Sequence, residues 1–269
     1  MLIDRPSLQM PQSAELWMIG AASLSALVMI VLALSVARRE RSPYPVFLLL
    51  GAAACTFHEP FVCLLGHFHY PEAGQRTAFR MLGVAIPVFH PIVALTYMGG
   101  VVFWVFTRLD RRELTLRAWW YFFVITTAIA VVFEPPFIAL GLWKYFGDNQ
   151  SFMILGFPVV WAIANAAALM MVGLLGYLIW HSLLGRRHAW SLAVVLPLLL
   201  FACHVPIVSP VYLALNSTHS VLVNNLAAAL AGLFSLGLVY LGSRLLALAF
   251  GESVNAAAST GGSMPGGNS

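Results

Sequence analysis

Long apolar runs, broken by short polar ones, cover nearly the whole chain. Seven stand out, at about 14–37, 44–67, 82–106, 118–142, 153–181, 189–214 and 220–243. Each holds about 20 or more residues, enough at 1.5 Å per residue to cross a hydrocarbon core ~30 Å thick. The pattern predicts an all-α polytopic membrane protein with seven transmembrane helices, formed as a single domain over 1–252. The tail from Ser253 to Ser269 is mostly Gly, Ser, Ala and Asn, which predicts a disordered cytosolic segment.

Composition agrees. Hydrophobic residues make up 61% and charged residues 9%, against about 25% charged in soluble domains. Of the 14 basic residues, ten fall between or after the runs on one side: Arg38, Arg39, Arg41, Arg108, Arg111, Arg112, Arg117, Arg186, Arg187 and Arg244. The positive-inside rule therefore predicts a multi-pass protein of the cell membrane with the N-terminus outside and the C-terminus cytosolic. The first run lacks a preceding basic region, so it reads as an uncleaved anchor. No basic patch is interleaved with exposed aromatics, which leaves no reason to expect nucleic acid as a partner. Cys55, Cys63 and Cys203 all fall in apolar runs and read as small buried thiols.

One phrase occurs twice. Residues 58–70 read His-Glu-Pro-Phe-Val-Cys-Leu-Leu-Gly-His-Phe-His-Tyr, and residues 133–145 read Phe-Glu-Pro-Pro-Phe-Ile-Ala-Leu-Gly-Leu-Trp-Lys-Tyr. Glu59, Pro60, Gly66 and Tyr70 match Glu134, Pro135, Gly141 and Tyr145 at one constant offset. Downstream, Leu82-Gly83 and Pro87-Val88 match Leu155-Gly156 and Pro158-Val159. A third partial copy, His204-Val205-Pro206, carries Val in place of the acid. The expected architecture is helix 1 followed by three parallel two-helix repeats (2–3, 4–5, 6–7), with the acids at one depth, ~13 Å below the outer surface.

Glu59 and Glu134 are the only acidic residues this reading places inside the bilayer. A carboxyl there must find partners or hold its proton, which makes it a functional-site candidate and a general acid. His90 lies at a similar level and is the candidate proton relay. The candidate catalytic residues are thus Glu59, Glu134 and His90. Candidate substrate-binding residues are His58, Tyr70, Tyr145, Trp161, Asn165, His204 and Asn225. If segment 2 is a regular helix, Cys55, Glu59, Cys63, Gly66 and Tyr70 share one face. Gly66 and Gly141 would then allow close helix approach, and Pro60, Pro135, Pro136, Pro206 and Pro210 would kink their helices. His58, His67, His69, His90, His204 and His219 crowd the outer half, but their spacing matches no metal-binding helix motif. The reading includes no metal and no cofactor.

The size, the seven-helix layout and the membrane-embedded Glu beside Pro resemble small integral-membrane cyclases, namely the fungal meroterpenoid cyclases and the lycopene cyclases of bacteria and fungi. That resemblance implies a lipid or isoprenoid small molecule as partner, cyclised or isomerised by acid–base chemistry. Aromatic side chains such as Phe68, Phe89, Trp143 and Trp161 would stabilise a cation. The competing reading is a proton-coupled transporter, since intramembrane acids and kinked repeats describe that class too. A retinal protein does not fit, because the single lysine, Lys144, lies in a loop.

Overall fold

A computed structural model describes residues 6–147, 149–217 and 220–260. Among these, seven helices are long and apolar enough to span a membrane, the make-up of a multi-pass helical membrane protein. They begin with α1 (Gln12–Glu40), then α2 (Tyr44–Ala54), which continues through a 3-10 turn (Cys55–His58) into α3 (Glu59–Leu65) as one span. There follow α4 (Phe89–Asp110), α5 (Leu116–Ala139) and α6 (Val159–Leu178). A π-helical turn over Ile179–Leu184 extends α6, and α7 (Leu192–Leu215) and α8 (Val221–Thr260) complete the bundle. Helix α8 passes Ser253, the expected start of the tail; residues 261–269 lie outside those described.

Helix α6 is the centre. It packs against α4, α5, α7 and α8, and Ala162, Ala164, Ala166, Ala167 and Ala168 are all fully buried. Small side chains let helices approach closely where lipid supplies no hydrophobic drive. A Cβ on Gly173 would come within 2.9 Å of Val105 Cβ on α4, so that crossing depends on glycine. Helix α1 sits on the rim against α2 and α4, and its Leu24, Leu27, Val28 and Val31 are exposed, as a lipid-facing helix requires.

Three departures from the sequence reading shape the site. First, segments 82–106 and 153–181 do not begin as helix. Strands β2 (Thr77–Met81) and β3 (Val84–Pro87) form one antiparallel hairpin, and β5 (Met153–Ile154) with β6 (Phe157–Pro158) forms another. Both turn on a Leu-Gly pair with φ positive at each residue, at Leu82 (φ 54), Gly83 (φ 73), Leu155 (φ 48) and Gly156 (φ 85). That backbone is the tight-hairpin turn, which favours Gly at its second position. Second, segment 2 is not a regular helix. Pro60 has no N–H to give to the turn before it; the chain tightens into the 3-10 turn ahead of it, while Glu59 itself stays helical (φ −58, ψ −41) and Pro60 sits in the first turn of α3. By contrast Pro135, Pro136, Pro206 and Pro210 do lie inside helices. Third, Gly141 is a turn residue (φ 76) facing Pro11, beyond the end of α5, and not a helix-crossing glycine.

Short strands also tie the loops together. Strand β1 (Phe68–His69) pairs antiparallel with β4 (Lys144–Tyr145), so the two copies of the repeated phrase meet backbone to backbone. The C-terminal end of α3 is closed by side chains. Asn216 Nδ2 donates to Leu65 O at 2.8 Å and Gln150 Nε2 to Gly66 O at 3.1 Å, satisfying carbonyls a short helix leaves open.

A fully buried acid outside the repeated phrase also belongs to a spanning helix. Glu15, in the first turn of α1, is fully buried. The Arg76 backbone N–H donates to its Oε1 at 2.7 Å and Arg76 Nη1 to its Oε2 at 2.6 Å. This pins the loop before β2 to α1. Glu15→Ala is expected to lower stability by about 1.5–3 kcal/mol, because it strands a backbone donor as well as losing a charged hydrogen bond; thermal unfolding in detergent checks this, and an unchanged midpoint would contradict it.

Candidate functional site

The site lies at the end of the bundle that carries the hairpins. Glu59 enters it from the first turn of α3. Tyr70, beyond the helix, turns back so that its hydroxyl donates to Glu59 Oε1 at 2.8 Å. His90, in the first turn of α4, places Nε2 3.2 Å from Glu59 Oε2. Its other ring nitrogen, Nδ1, is 2.6 Å from Thr56 Oγ1 in the 3-10 turn. The result is a continuous chain, Thr56–His90–Glu59–Tyr70, that answers both carboxylate oxygens. Thr56 holds the imidazole, and the imidazole faces the acid.

Glu134 enters from α5 and is answered differently. Trp143 Nε1 donates to its Oε2 at 3.1 Å, and no cation is paired with it among the described residues. Both carboxyls line one cavity of about 110 Å³. A single water needs roughly 10–15 Å³ by the same measure, so the space admits several waters or a short stretch of a larger molecule.

The walls are aromatic. Phe68, Tyr70, Phe89, Trp143, Tyr145 and Trp161 all line the cavity. Phe68 meets Tyr70 and Tyr145 edge-on at 4.8 and 4.9 Å, and Tyr70 meets Phe89 edge-on at 5.9 Å. Burial, reinforced by Glu59, pushes the Tyr70 hydroxyl well above its ordinary value. Burial and Glu134 do the same to Tyr145. Both therefore remain hydroxyl donors at physiological pH.

Of the residues singled out in sequence, Glu59, Glu134, His90, His58, Tyr70, Tyr145, Trp161, Asn165 and His204 come together around this cavity. Asn225 does not line it. Its neighbour Asn224 is buried instead, and donates through Nδ2 to Asn149 O at 3.0 Å. Tyr70 arrives by a turn and not on a common helix face with Glu59. Gly66 lies under Trp161: a Cβ there would stand 2.9 Å from its ring. No group of three or more His, Cys, Asp or Glu gathers as metal ligands among the described residues; His219 lies outside them. Thr56 and Tyr97 are members of the surroundings that sequence reasoning missed. Thr56 sits two residues before the repeated phrase's own His58, the one signal that pointed there. Tyr97 lines the cavity from α4 with its hydroxyl unpartnered.

No protein-family model, curated protein or solved structure matches the chain. The fold and site together define a class, a seven-span helical membrane protein with two carboxyls in one aromatic-walled cavity.

Thr56→Val removes the partner of His90 Nδ1 at nearly constant volume. The expected cost is about 1–3 kcal/mol of stability, with Thr56→Ser close to wild type. Unfolding of the two variants side by side measures it; a loss in Thr56→Ser with none in Thr56→Val would show that the methyl group, and not the hydrogen bond, matters.

Proposed function

We propose that the protein is an integral-membrane enzyme that cyclises or isomerises a lipid-soluble, isoprenoid-like substrate by proton transfer between its two glutamates. The observation that carries this reading is the unequal surroundings of two carboxyls in one cavity. Glu59 accepts from Tyr70 and faces His90, an environment suited to a carboxylate. Glu134 has one indole N–H and no cation, an environment suited to a carboxyl that keeps its proton. Paired groups pushed apart in this way divide into acid and base.

In this scheme Glu134 gives its proton to a substrate alkene. The π pair forms the new C–H bond and leaves a carbocation. A second alkene of the same substrate attacks it if a ring is to form. Loss of a proton from the adjacent carbon to Glu59 then restores a double bond, and the proton returns from Glu59 to Glu134 between turnovers. Atoms and electrons balance without an oxidant or a cofactor. Aromatic faces around the cavity contribute about 0.5–2 kcal/mol each to holding the cation. The reacting segment of the substrate occupies the cavity while the rest of its chain extends into the bilayer.

The finer architecture belongs to the same reading: helix 1 plus three parallel two-helix repeats, N-terminus outside, in the cell membrane. Support comes from the two Leu-Gly hairpins, each leading into a spanning helix, and from the pairing of β1 with β4. A transporter would need a polar path beneath the cavity. Helix α6 there presents Leu169, Met170, Met171, Val172 and Leu174 packed among their neighbours, which favours the enzyme.

Mass spectrometry of lipid extracts from an isoprenoid-producing host tests the proposal. Wild type is expected to convert a host lipid, and Glu59→Gln and Glu134→Gln each to lower conversion about 10²–10⁴-fold. Identical extracts from wild type, both variants and the empty host would overturn it.

A further inference from the structure

The ring of helices around α6 is not closed by packing on the side between α4 and α5. Packing runs from α4 to α2, from α2 to α7, from α7 to α8 and from α8 to α5, but α4 and α5 do not pack together in that way. They are bridged at two levels instead. Near the loop that joins them, Trp104 of α4 stacks on Phe122 of α5, with ring centroids 3.8 Å apart and planes 15° from parallel. At the hairpin end, Trp143 meets Phe89 of α4 at 6.2 Å and Phe137 of α5 at 5.5 Å. Between the two levels lies a cleft. From Phe122 to Glu134 it follows α5 for a helical length of ~18 Å.

The α4 wall of this cleft leaves room. Val93, Tyr97, Gly100 and Trp104 recur at helical spacing and form one stripe. Val93 and Tyr97 also line the cavity, with Met98 beside them and Glu134 on the opposite helix. All four of these cavity residues are only half-buried. Gly100, between Tyr97 and the Trp104 stack, is half-buried too, and a Cβ there would meet no atom within 4 Å. Its neighbour Gly99 is the opposite case: a Cβ there would stand 3.2 Å from Leu49 and 3.3 Å from Ala52 on α2. One glycine thus closes a helix crossing, and the other keeps a space open. Walls left without contacts forfeit dispersion attraction, and walls of Val, Tyr, Met and Trp offer that attraction to a hydrocarbon.

We propose that the cleft between α4 and α5, from the glutamates to the Trp104–Phe122 stack, is the binding site for the hydrocarbon tail of the substrate. The inference rests on the isoprenoid reading of the cavity and adds where the unreacting part of the chain lies. Continuity names the occupant. Val93 and Tyr97 belong both to the cavity lining and to the stripe, so a chain held before the carboxyls runs on toward Gly100. From Val93 to Thr107, α4 carries no charged residue. The apolar stretch ends where the Arg108 guanidinium lies over Trp104, 5.9 Å from its ring centroid.

The test uses the full chain in lipid nanodiscs, with a diazirine-bearing farnesene as the probe. Labelled peptides are mapped by mass spectrometry with and without excess unlabelled farnesene, and only labelling that the competitor suppresses is counted. Such labelling is expected in α4 between Tyr97 and Trp104 and in α5 between Phe122 and Glu134. Gly100→Leu puts a side chain into the cleft and should raise the Kd of the probe about tenfold or more, as overfilling an occupied space does. Gly237→Leu on α8 is the control, since a Cβ there also meets no atom within 4 Å; it should leave the Kd unchanged. Should Gly100→Leu not fold, the labelling map of the wild type decides. Suppressible labelling confined to α3, α6 and α7, or a Kd that Gly100→Leu does not move, overturns the tail site and leaves the isoprenoid reading intact. No suppressible labelling in any helix overturns both.

Discussion

A polar group at membrane depth has no water to turn to, so every donor and acceptor there must be answered by the protein or by what the protein binds. Glu59 is where this constraint acts most strongly. Meeting its two oxygens takes Tyr70 from beyond α3 and His90 from the start of α4, and holding His90 takes Thr56 from the 3-10 turn. The break in the second span, the turn that sends Tyr70 back, and the hairpin that sets where α4 begins all serve that one carboxyl. The same constraint explains the loops. Asn216 and Gln150 reach in to close the end of α3, and β1 pairs with β4 so that the strand edges are not left open.

Much of this was legible in the chain before any coordinates. The seven spans follow from run length and apolarity alone, and acids inside such runs identify themselves by their rarity. Nine of the ten residues chosen from sequence line one cavity: the repeated phrase carries His58, Glu59, Tyr70, Glu134 and Tyr145, and α4, α6 and α7 bring His90, Trp161, Asn165 and His204 to it. The hairpins were not legible. A four-residue apolar strand such as Val84–Pro87, set inside a longer apolar run, has no periodicity to separate it from buried helix. Its one clue, the Leu-Gly turn, was read as helical similarity between copies. Asn225 was misplaced for a related reason. Helix α8 is apolar all round, so the sequence fixes no phase, and adjacent residues point about 100° apart; Asn224 took the buried position. Glu15 carries no such mark in the sequence, since an acid in a first turn ordinarily meets the helix dipole in water, whereas here a loop covers it and supplies Arg76. Thr56 carried no signal of its own, since a threonine in an apolar helix ordinarily bonds the preceding turn.

The cavity thus combines two polar centres that differ in kind. Around the glutamates, Thr56 is joined through His90 to Glu59 and Trp143 to Glu134, with the Tyr97 hydroxyl unpartnered beside them. Around His58, His204 and Trp161, one bond is made and three atoms are left over. On the proposed reading the glutamates move protons, and the aromatic walls of the cavity serve the cation.

The division of the two carboxyls into acid and base is the claim on which that reading turns. Infrared spectroscopy of the protein in nanodiscs tests it directly, because a protonated carboxyl has a C=O stretch that a carboxylate lacks. The account predicts that wild type shows this band near neutral pH, that Glu134→Gln abolishes it, and that Glu59→Gln leaves it in place. A band lost in Glu59→Gln and kept in Glu134→Gln, or absent from wild type, would contradict it.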